Sequence, residues 1–275
     1  MEWSKAKNIM IIALFLLNIF LASTLYISYR NKNYIPNNMV LSVSEFFDKN
    51  GVFLDSDVIP AKKSGLYSIR ISNNSANVEI CKNLLGDSEA VTEIIENGFS
   101  LVSKNGNAEV IFNNSFIVNF FESYDTTEYK KTNENKKLSQ FIYSNNLLPE
   151  GFDIKFSGEY GNKTAQVYFK GNKLFGCYFE FVVKDERLVS VSSNGQLGSL
   201  MGYGKINARD GVNCLFDLLQ NYPEMISESQ ITSLEAGYSM PEIFTSNFYI
   251  LIPTWLITKD NGEVIRYNME TAKIF

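Results

Sequence analysis

An unbroken apolar run near the N-terminus differs from the alternating patterns in the rest of the chain. Residues 9–27 read IMIIALFLLNIFLASTLYI and carry no charge. At about 1.5 Å per residue, this run makes a helix of about 28 Å, close to the thickness of the hydrocarbon core of a bilayer. The pattern therefore predicts a transmembrane helix over residues 9–28, preceded by a short tail of residues 1–8.

Two other interpretations of the run are a buried helix of a soluble core and a cleaved signal peptide. Apolar runs of about 18 or more residues are uncommon in soluble helices. The apolar region of a signal peptide normally has about 7–15 residues and ends at an A-x-A-like site, which Ala22-Ser23-Thr24 matches poorly. A retained anchor therefore fits the run better. Its orientation is not settled by charge, because two lysines precede the run and one arginine and one lysine follow it.

After a polar linker at residues 29–41, a first series of short helical and alternating patterns fills residues 42–125. Alternating apolar residues predict half-buried strands, and Asn-Gly or Asn-Asn-Ser segments predict turns between them. The predicted helices begin at Ser42 or Ser44 and end at Asn50-Gly51, and cover Ser88–Glu96. The predicted strands are Leu66–Ser72, Phe99–Ser103, Ala108–Phe112 and Phe116–Phe121.

A second series in residues 132–275 repeats this outline behind a charged stretch. A helix ends near Asn145, and a later one follows a glycine-bearing loop and a cap at Asn207. The predicted strands are Ile154–Ser157, Thr164–Lys170, Leu174–Val183, Leu188–Ser192, Leu234–Tyr238, Phe248–Thr258 and Glu263–Tyr267. The sequence therefore predicts an α+β fold, in which one N-terminal transmembrane helix is followed by two similar lobes of antiparallel sheet with helices packed on them.

Composition narrows the range of functions. The net charge of −5 argues against nucleic-acid binding, which needs a basic face. The absence of histidine excludes Ser-His-Asp and Cys-His catalysis and histidine-ligated metal sites. The three cysteines form no C-x-x-C pair, and the patterns around Cys177 and Cys214 predict small buried apolar residues. Chemistry that uses carboxylates alone is not excluded by composition. The prediction is nevertheless a protein that is not an enzyme, with no catalytic residue, metal site or cofactor.

Other polar and charged groups in the sequence are weak evidence for a catalytic or binding site. Glu122 and Asp125 lie near the boundary between the lobes, but nothing in the sequence brings them together as an acid–base pair. Gly204-Lys205 ends a glycine-bearing loop whose spacing does not match a phosphate-binding loop. Asp185-Glu186 is predicted to be the solvated tip of a hairpin.

The most informative polar residue is Asn18, in the middle of the apolar run. An amide in hydrocarbon needs a hydrogen-bond partner, which it usually finds on another helix, for about 1–2 kcal/mol or less. The alternative interpretation is that Asn18 is a single polar residue that the membrane helix tolerates without a partner helix. The residues predicted to contact a partner helix are Asn8, Ala13, Asn18, Ala22 and Ser23.

Six segments carry a family resemblance. They are MEWSKAK at residues 1–7, IMIIALFLLNIFL at 9–21, FFDKNGVFLDSDVIP at 46–60, ITSLEAGY at 231–238, PTW at 253–255 and NGEVIRYN at 261–268. In this order they resemble the YycI regulatory proteins, and the order of elements agrees over nearly the whole chain. The C-terminal segments are also typical of small α+β modules of the PepSY kind.

The resemblance implies a single-pass protein of the Gram-positive cell membrane, with a cytoplasmic N-terminus and an extracytoplasmic folded region. Proteins of this family, with the related YycH, associate with the essential cell-wall sensor histidine kinase WalK, also called YycG. They adjust its activity chiefly through transmembrane helix contacts, and the family has no known catalytic residues. The implied partners are therefore a WalK-like kinase, a YycH-like protein and the membrane.

Three functional hypotheses follow. The first is a non-enzymatic regulator whose anchor helix packs against the helices of a histidine kinase. The second is an extracytoplasmic ligand- or peptide-binding module tethered to the membrane, with an aromatic-lined cleft between the lobes. The third is a membrane-tethered hydrolase that uses two convergent carboxylates.

Overall fold

The computed structural model of the protein describes residues 2–63, 65–73, 77–111, 115–121, 127–195, 197–241 and 247–275. One N-terminal apolar helix is followed by a large sheet of many antiparallel strands, which confirms the predicted α+β class. The helices are α1 (Glu2–Asn33), α2 (Asn37–Lys49), α3 (Asn77–Leu84), α4 (Glu134–Ser144), α5 (Gly211–Asn221) and α6 (Pro223–Ile226), with a 3₁₀ turn at Ser56–Val58.

The strands of the first half of the chain are β1 (Phe53–Leu54), β2 (Tyr67–Ser72), β3 (Val91–Ile95), β4 (Gly98–Ser103), β5 (Gly106–Ile111) and β6 (Ser115–Phe120). Those of the second half are β7 (Phe152–Ser157), β8 (Asn162–Phe169), β9 (Asn172–Lys184), β10 (Arg187–Asn194), β11 (Leu200–Lys205), β12 (Gln230–Ser239), β13 (Phe248–Lys259), β14 (Val264–Asn268) and β15 (Lys273–Ile274).

The sheet interleaves strands from the two halves of the chain. Its main path runs β11-β2-β13-β12-β9-β10-β6-β5-β4-β3. Strand β2, from the predicted first lobe, lies between β11 and β13 of the predicted second lobe, and β6 pairs with β10. The strands of both predicted lobes thus share one hydrogen-bonded path, and the bounds 42–125 and 132–275 stay predictions.

Strand β9 changes partners along its length. Residues 173–175 pair with β12 in parallel, whereas residues 178–184 pair with β10 antiparallel. Gly176 lies between these two stretches with a φ of +73°, a conformation that glycine adopts without steric cost. Beyond it, Cys177, Phe179, Phe181 and Val183 are buried on one face, as their alternation predicts.

The polar linker predicted at residues 29–41 is mostly helical instead. Residues 29–33 continue α1, and α2 begins at Asn37 rather than at Ser42 or Ser44. Pro36 explains where the break falls, because the residue before a proline is disfavoured in the helical region and Pro36 itself precedes α2 with extended torsions. Polarity alone does not end a helix, and the linker bounds 29–41 stay a prediction.

Two further local predictions were wrong. The helix predicted at Ser88–Glu96 is absent from the described residues there, where β3 pairs with β4. Val91, Thr92 and the two isoleucines that follow Glu93 are β-branched, which favours a strand. The cap predicted at Asn207 is instead Asp210, whose Oδ1 accepts a hydrogen bond from the Asn213 N–H at 2.9 Å.

Candidate functional site

Helix α1 has the length and composition of a single membrane span. The candidate span is Met10–Asn33, and none of its most apolar window is buried within the protein. Every side chain from Met10 to Lys32 is exposed, although most are large and apolar. A helix of a soluble core would be buried, so that interpretation does not fit, whereas a signal sequence would share this length and position. The helix is therefore a candidate single-pass anchor.

The continuous helix separates the five residues predicted to contact a partner. At 3.6 residues per turn, Asn18 and Ala22 lie one turn apart on the same face, and Asn8 lies about 40° from Ala22. Measured from Ala22, which lies midway between Asn8 and Asn18, Ser23 is about 100° and Ala13 about 180° around the helix. We call the face of Asn8, Asn18 and Ala22 the asparagine face; Ala13 and Ser23 do not belong to it.

The end of α1 is joined to the folded region by a short β-bridge. Tyr34 pairs antiparallel with Lys62, the Ile35 N–H donates to the Ala61 carbonyl at 2.7 Å, and the Lys63 N–H donates to the Asn33 carbonyl at 2.8 Å. The Ile35 side chain is only 4% exposed. The anchor is therefore attached through paired backbone and a buried side chain, and not through a free tether.

Two grooves flank this junction. The first has a volume of about 450 Å³ and lies between α2 and the segment after β1; its lining residues are Asn37, Val40, Leu41, Ser56, Asp57, Ile59, Pro60 and Ala61. The second has a volume of about 330 Å³ and follows the end of α1, from Tyr26 to Asn38. Asp57 is the one carboxylate in the two linings, so neither groove brings two carboxylates together.

A cluster of aromatic rings forms a second candidate site, far along the chain from the anchor. Tyr67 on β2, Phe169 on β8 and Tyr203 on β11 have ring centroids between 5.4 and 6.4 Å apart. The Lys170 ammonium lies over these rings, at 3.7 Å from the Tyr203 centroid and 4.6 Å from that of Tyr67. The sequence does not reveal this cluster, because its members come from three separate strands.

The cysteines are packing residues, as predicted for Cys177 and Cys214. Cys81, Cys177 and Cys214 are all buried, and none forms a disulfide. Burial raises the pKa of the Cys81 thiol to about 12, and it also raises the pKa of the other two. The Cys177 thiol donates a hydrogen bond to the Gly195 carbonyl at 3.0 Å. These thiols stay protonated near neutral pH and do not supply a thiolate nucleophile.

The other chemical groups singled out in the sequence do not assemble into a catalytic site. Asp185 and Glu186 are exposed in the turn between β9 and β10, as predicted. Gly204 and Lys205 lie in strand β11, and not in a loop that opens a helix. Glu122 and Asp125 lie outside the described residues. Within the described part of the chain, no group of three or more acidic or cysteine side chains could hold a metal ion.

Comparison with known proteins gives structural similarities and no assigned family. No family model matches the chain, and no curated protein matches it. The chain is similar to an uncharacterized protein from Eubacterium rectale, with a TM-score of 0.44 and 9% identity over 78% of this chain and 85% of that one. It is also similar to the Bacillus megaterium YpeB C-terminal domain, with a TM-score of 0.29 and 8% identity over 75% of this chain and 98% of that one. Neither similarity assigns a function to this chain.

Proposed function

We propose that this protein is a non-enzymatic, membrane-anchored regulator of a WalK-like sensor histidine kinase that controls cell-wall metabolism. In this proposal the N-terminus is cytoplasmic, the sheet is extracytoplasmic, and the anchor helix contacts the transmembrane helices of the kinase. A YycH-like protein is a further partner. The observation that carries the proposal is the asparagine face of α1, which leaves an amide exposed in the middle of an apolar helix.

The energetics of the asparagine face favour a helix partner. An amide in the hydrocarbon core lacks water, so a hydrogen bond to another helix stabilises it by about 0.6–2 kcal/mol. Ala22 lies one turn from Asn18, and a small residue there lets a second helix approach closely. The two features lie on the same face, so one partner helix can use both.

Regulation also requires that the anchor distinguishes two states of the kinase. A bound helix shifts a two-state equilibrium only if it binds one state more tightly than the other. The β-bridge at Tyr34 supports such a role, because a paired junction transmits rotation or tilt between α1 and the folded region better than a flexible linker would. In this proposal, a change in the extracytoplasmic region can therefore alter the orientation of α1 and so its contact with the kinase.

Replacement of Asn18 tests this proposal. Asn18→Leu removes the amide and keeps an apolar side chain, so we expect association with the kinase to weaken by about fivefold. Ala13→Leu is the matched control, because it adds a leucine away from the asparagine face. Phosphorylation of the response regulator is measured in the native organism, with the membrane level of each variant determined by immunoblot.

The two variants give separable outcomes. A change in phosphorylation with Asn18→Leu and none with Ala13→Leu supports a specific helix contact. Unchanged phosphorylation with Asn18→Leu, at a normal level in the membrane, contradicts the role of Asn18. Equal changes with both variants contradict a contact limited to the asparagine face.

A second candidate function is an extracytoplasmic ligand-binding module tethered to the membrane. The aromatic cluster around Lys170 favours it, because the cluster combines the exposed Tyr203 ring with rings on strands from both halves of the chain. Ligand binding and kinase regulation are compatible, since a bound ligand could act through the junction with α1. The third hypothesis, a carboxylate hydrolase, has no observation in its favour among the described residues.

A further inference from the structure

Three aromatic rings enclose a corner in which a cation already lies. The interplanar angles are 83° between Tyr67 and Phe169, 90° between Tyr67 and Tyr203, and 69° between Phe169 and Tyr203. Rings that are nearly perpendicular in pairs form the walls of a cage and not a flat stack. The Lys170 ammonium lies 3.7, 4.6 and 5.7 Å from the centroids of Tyr203, Tyr67 and Phe169.

The floor of this cage is held by the core. Phe169 is 1% exposed and packs against Phe152 and Tyr238, with centroid distances of 5.1 and 6.3 Å. The Tyr67 backbone N–H donates to the Tyr238 hydroxyl at 2.9 Å, which fixes the start of β2. Two walls are therefore positioned before any ligand arrives, which lowers the entropy cost of binding.

The mouth of the cage is open. Tyr203 is 51% exposed on β11, an edge strand that pairs on one side with β2. A side chain added at Gly171, directly after the lysine, would meet no described atom within 4 Å. Lys170 is itself exposed, so its side chain can leave the rings without disturbing the core.

The cage attracts its cation through the rings alone. Among the described residues, no carboxylate forms an ion pair with Lys170. Ring faces attract poorly hydrated organic ammonium groups, and a cage without a carboxylate does not repay the dehydration of a metal ion. The chemistry of the walls therefore selects an alkylated or alkyl ammonium group.

We propose that Tyr67, Phe169 and Tyr203 form a binding site for the organic ammonium group of a small ligand, and that the Lys170 side chain occupies this site in the free protein. Lys170 is then an internal competitor that the ligand displaces. The site is independent of the kinase contact, because none of its residues belongs to α1 or to the β-bridge.

Removal of the competitor is the most direct test. Lys170→Asn deletes the ammonium, and asparagine tolerates the φ of +48° at this position better than alanine does. Lys155→Asn is the matched control. The Lys155 ammonium lies 4.3 Å from the centroid of a single ring, that of Tyr168, which does not belong to the cage. The full chain is used in an uncharged maltoside detergent, so that the detergent supplies no ammonium group.

The probes are choline, Nα-acetyl-lysine amide (called N-acetyl-lysine amide below), whose side-chain ammonium is free, and 3,3-dimethylbutan-1-ol. The last of these has the shape of choline without its charge. Binding is followed by titration with detection by tyrosine fluorescence. We expect Lys170→Asn to bind choline about tenfold more tightly than the unchanged protein does, and Lys155→Asn to bind like the unchanged protein. Adding Tyr203→Ala to Lys170→Asn should abolish binding, with circular dichroism to show that the fold is retained.

The outcomes separate the ligand classes and can overturn the proposal. Tighter binding of choline than of N-acetyl-lysine amide indicates a quaternary ammonium ligand, and the reverse order indicates a primary one; both support the site. Equal binding of choline and its neutral analogue contradicts recognition of charge. Failure of Lys170→Asn to bind either cation more tightly than Lys155→Asn contradicts the proposal, and Lys170 is then a structural contact of the turn.

Discussion

At the scale of single residues, the hydroxyl of Tyr267 ties strand β14 to helix α5. It donates to the Asp217 carboxylate at 2.5 Å, and Asp217 also pairs with the Arg209 guanidinium. The Trp255 indole N–H donates to the Arg209 carbonyl at 2.9 Å. Burial and the Asp217 carboxylate raise the pKa of Tyr267, which keeps the hydroxyl protonated and able to donate.

Tyr267→Phe should therefore destabilise the protein. It removes a hydrogen bond to a charged acceptor and leaves part of Asp217 unsatisfied, so we expect the free energy of unfolding to fall by about 1.5–3 kcal/mol. Tyr203→Phe is the control, because the Tyr203 ring is half exposed, and its change should stay within about 0.5 kcal/mol. Urea denaturation in detergent measures both. Equal stability of the two variants would contradict a structural role for the Tyr267 hydroxyl.

Sequence predicted the apolar positions at this scale better than the polar contacts. Alternation was enough to place Cys177, Phe179 and Phe181 on one buried face, because the period of a strand is local. The hydrogen bond between Tyr267 and Asp217 joins residues 50 positions apart, so the local sequence pattern around either residue does not predict it. The same is true of the aromatic cage, whose walls come from β2, β8 and β11.

At the scale of elements, the junction between α1 and the sheet is the least expected feature. The sequence predicted the candidate anchor, because an uncharged run of this length is long enough to span a bilayer. It did not show the bridge between Tyr34 and Lys62, since a single pair of residues has no periodicity. The β-branched residues of β3 are the sequence signal that argues against the helix predicted at Ser88–Glu96.

Ile35→Ala tests whether this junction is packed. Ile35 is buried where the anchor meets the folded region, so the loss of its side chain should lower the free energy of unfolding by about 2–4 kcal/mol. Leu41→Ala on α2 removes an exposed side chain and should change it by less than about 0.5 kcal/mol. Urea denaturation of the full chain in detergent compares them. An unchanged free energy of unfolding in Ile35→Ala would contradict a packed junction between α1 and the folded region.

At the scale of the whole molecule, the two series of elements predicted from the sequence form one interleaved sheet path. Patterns along the chain identify strands but do not state their order, because pairing between distant strands leaves no local mark. Strand β2 is the clearest case, since it inserts between β11 and β13. This interleaving places the residues of the aromatic cage together.

The central claim, that the anchor helix recognises a sensor kinase, is tested most directly by co-purification from membranes of the native organism. The full chain is compared with a chain in which residues 1–29 are replaced by an unrelated transmembrane helix, at equal amounts in the membrane. We predict that a sensor histidine kinase co-purifies with the native anchor only. Recovery of the kinase with both chains, or with neither, would contradict the claim.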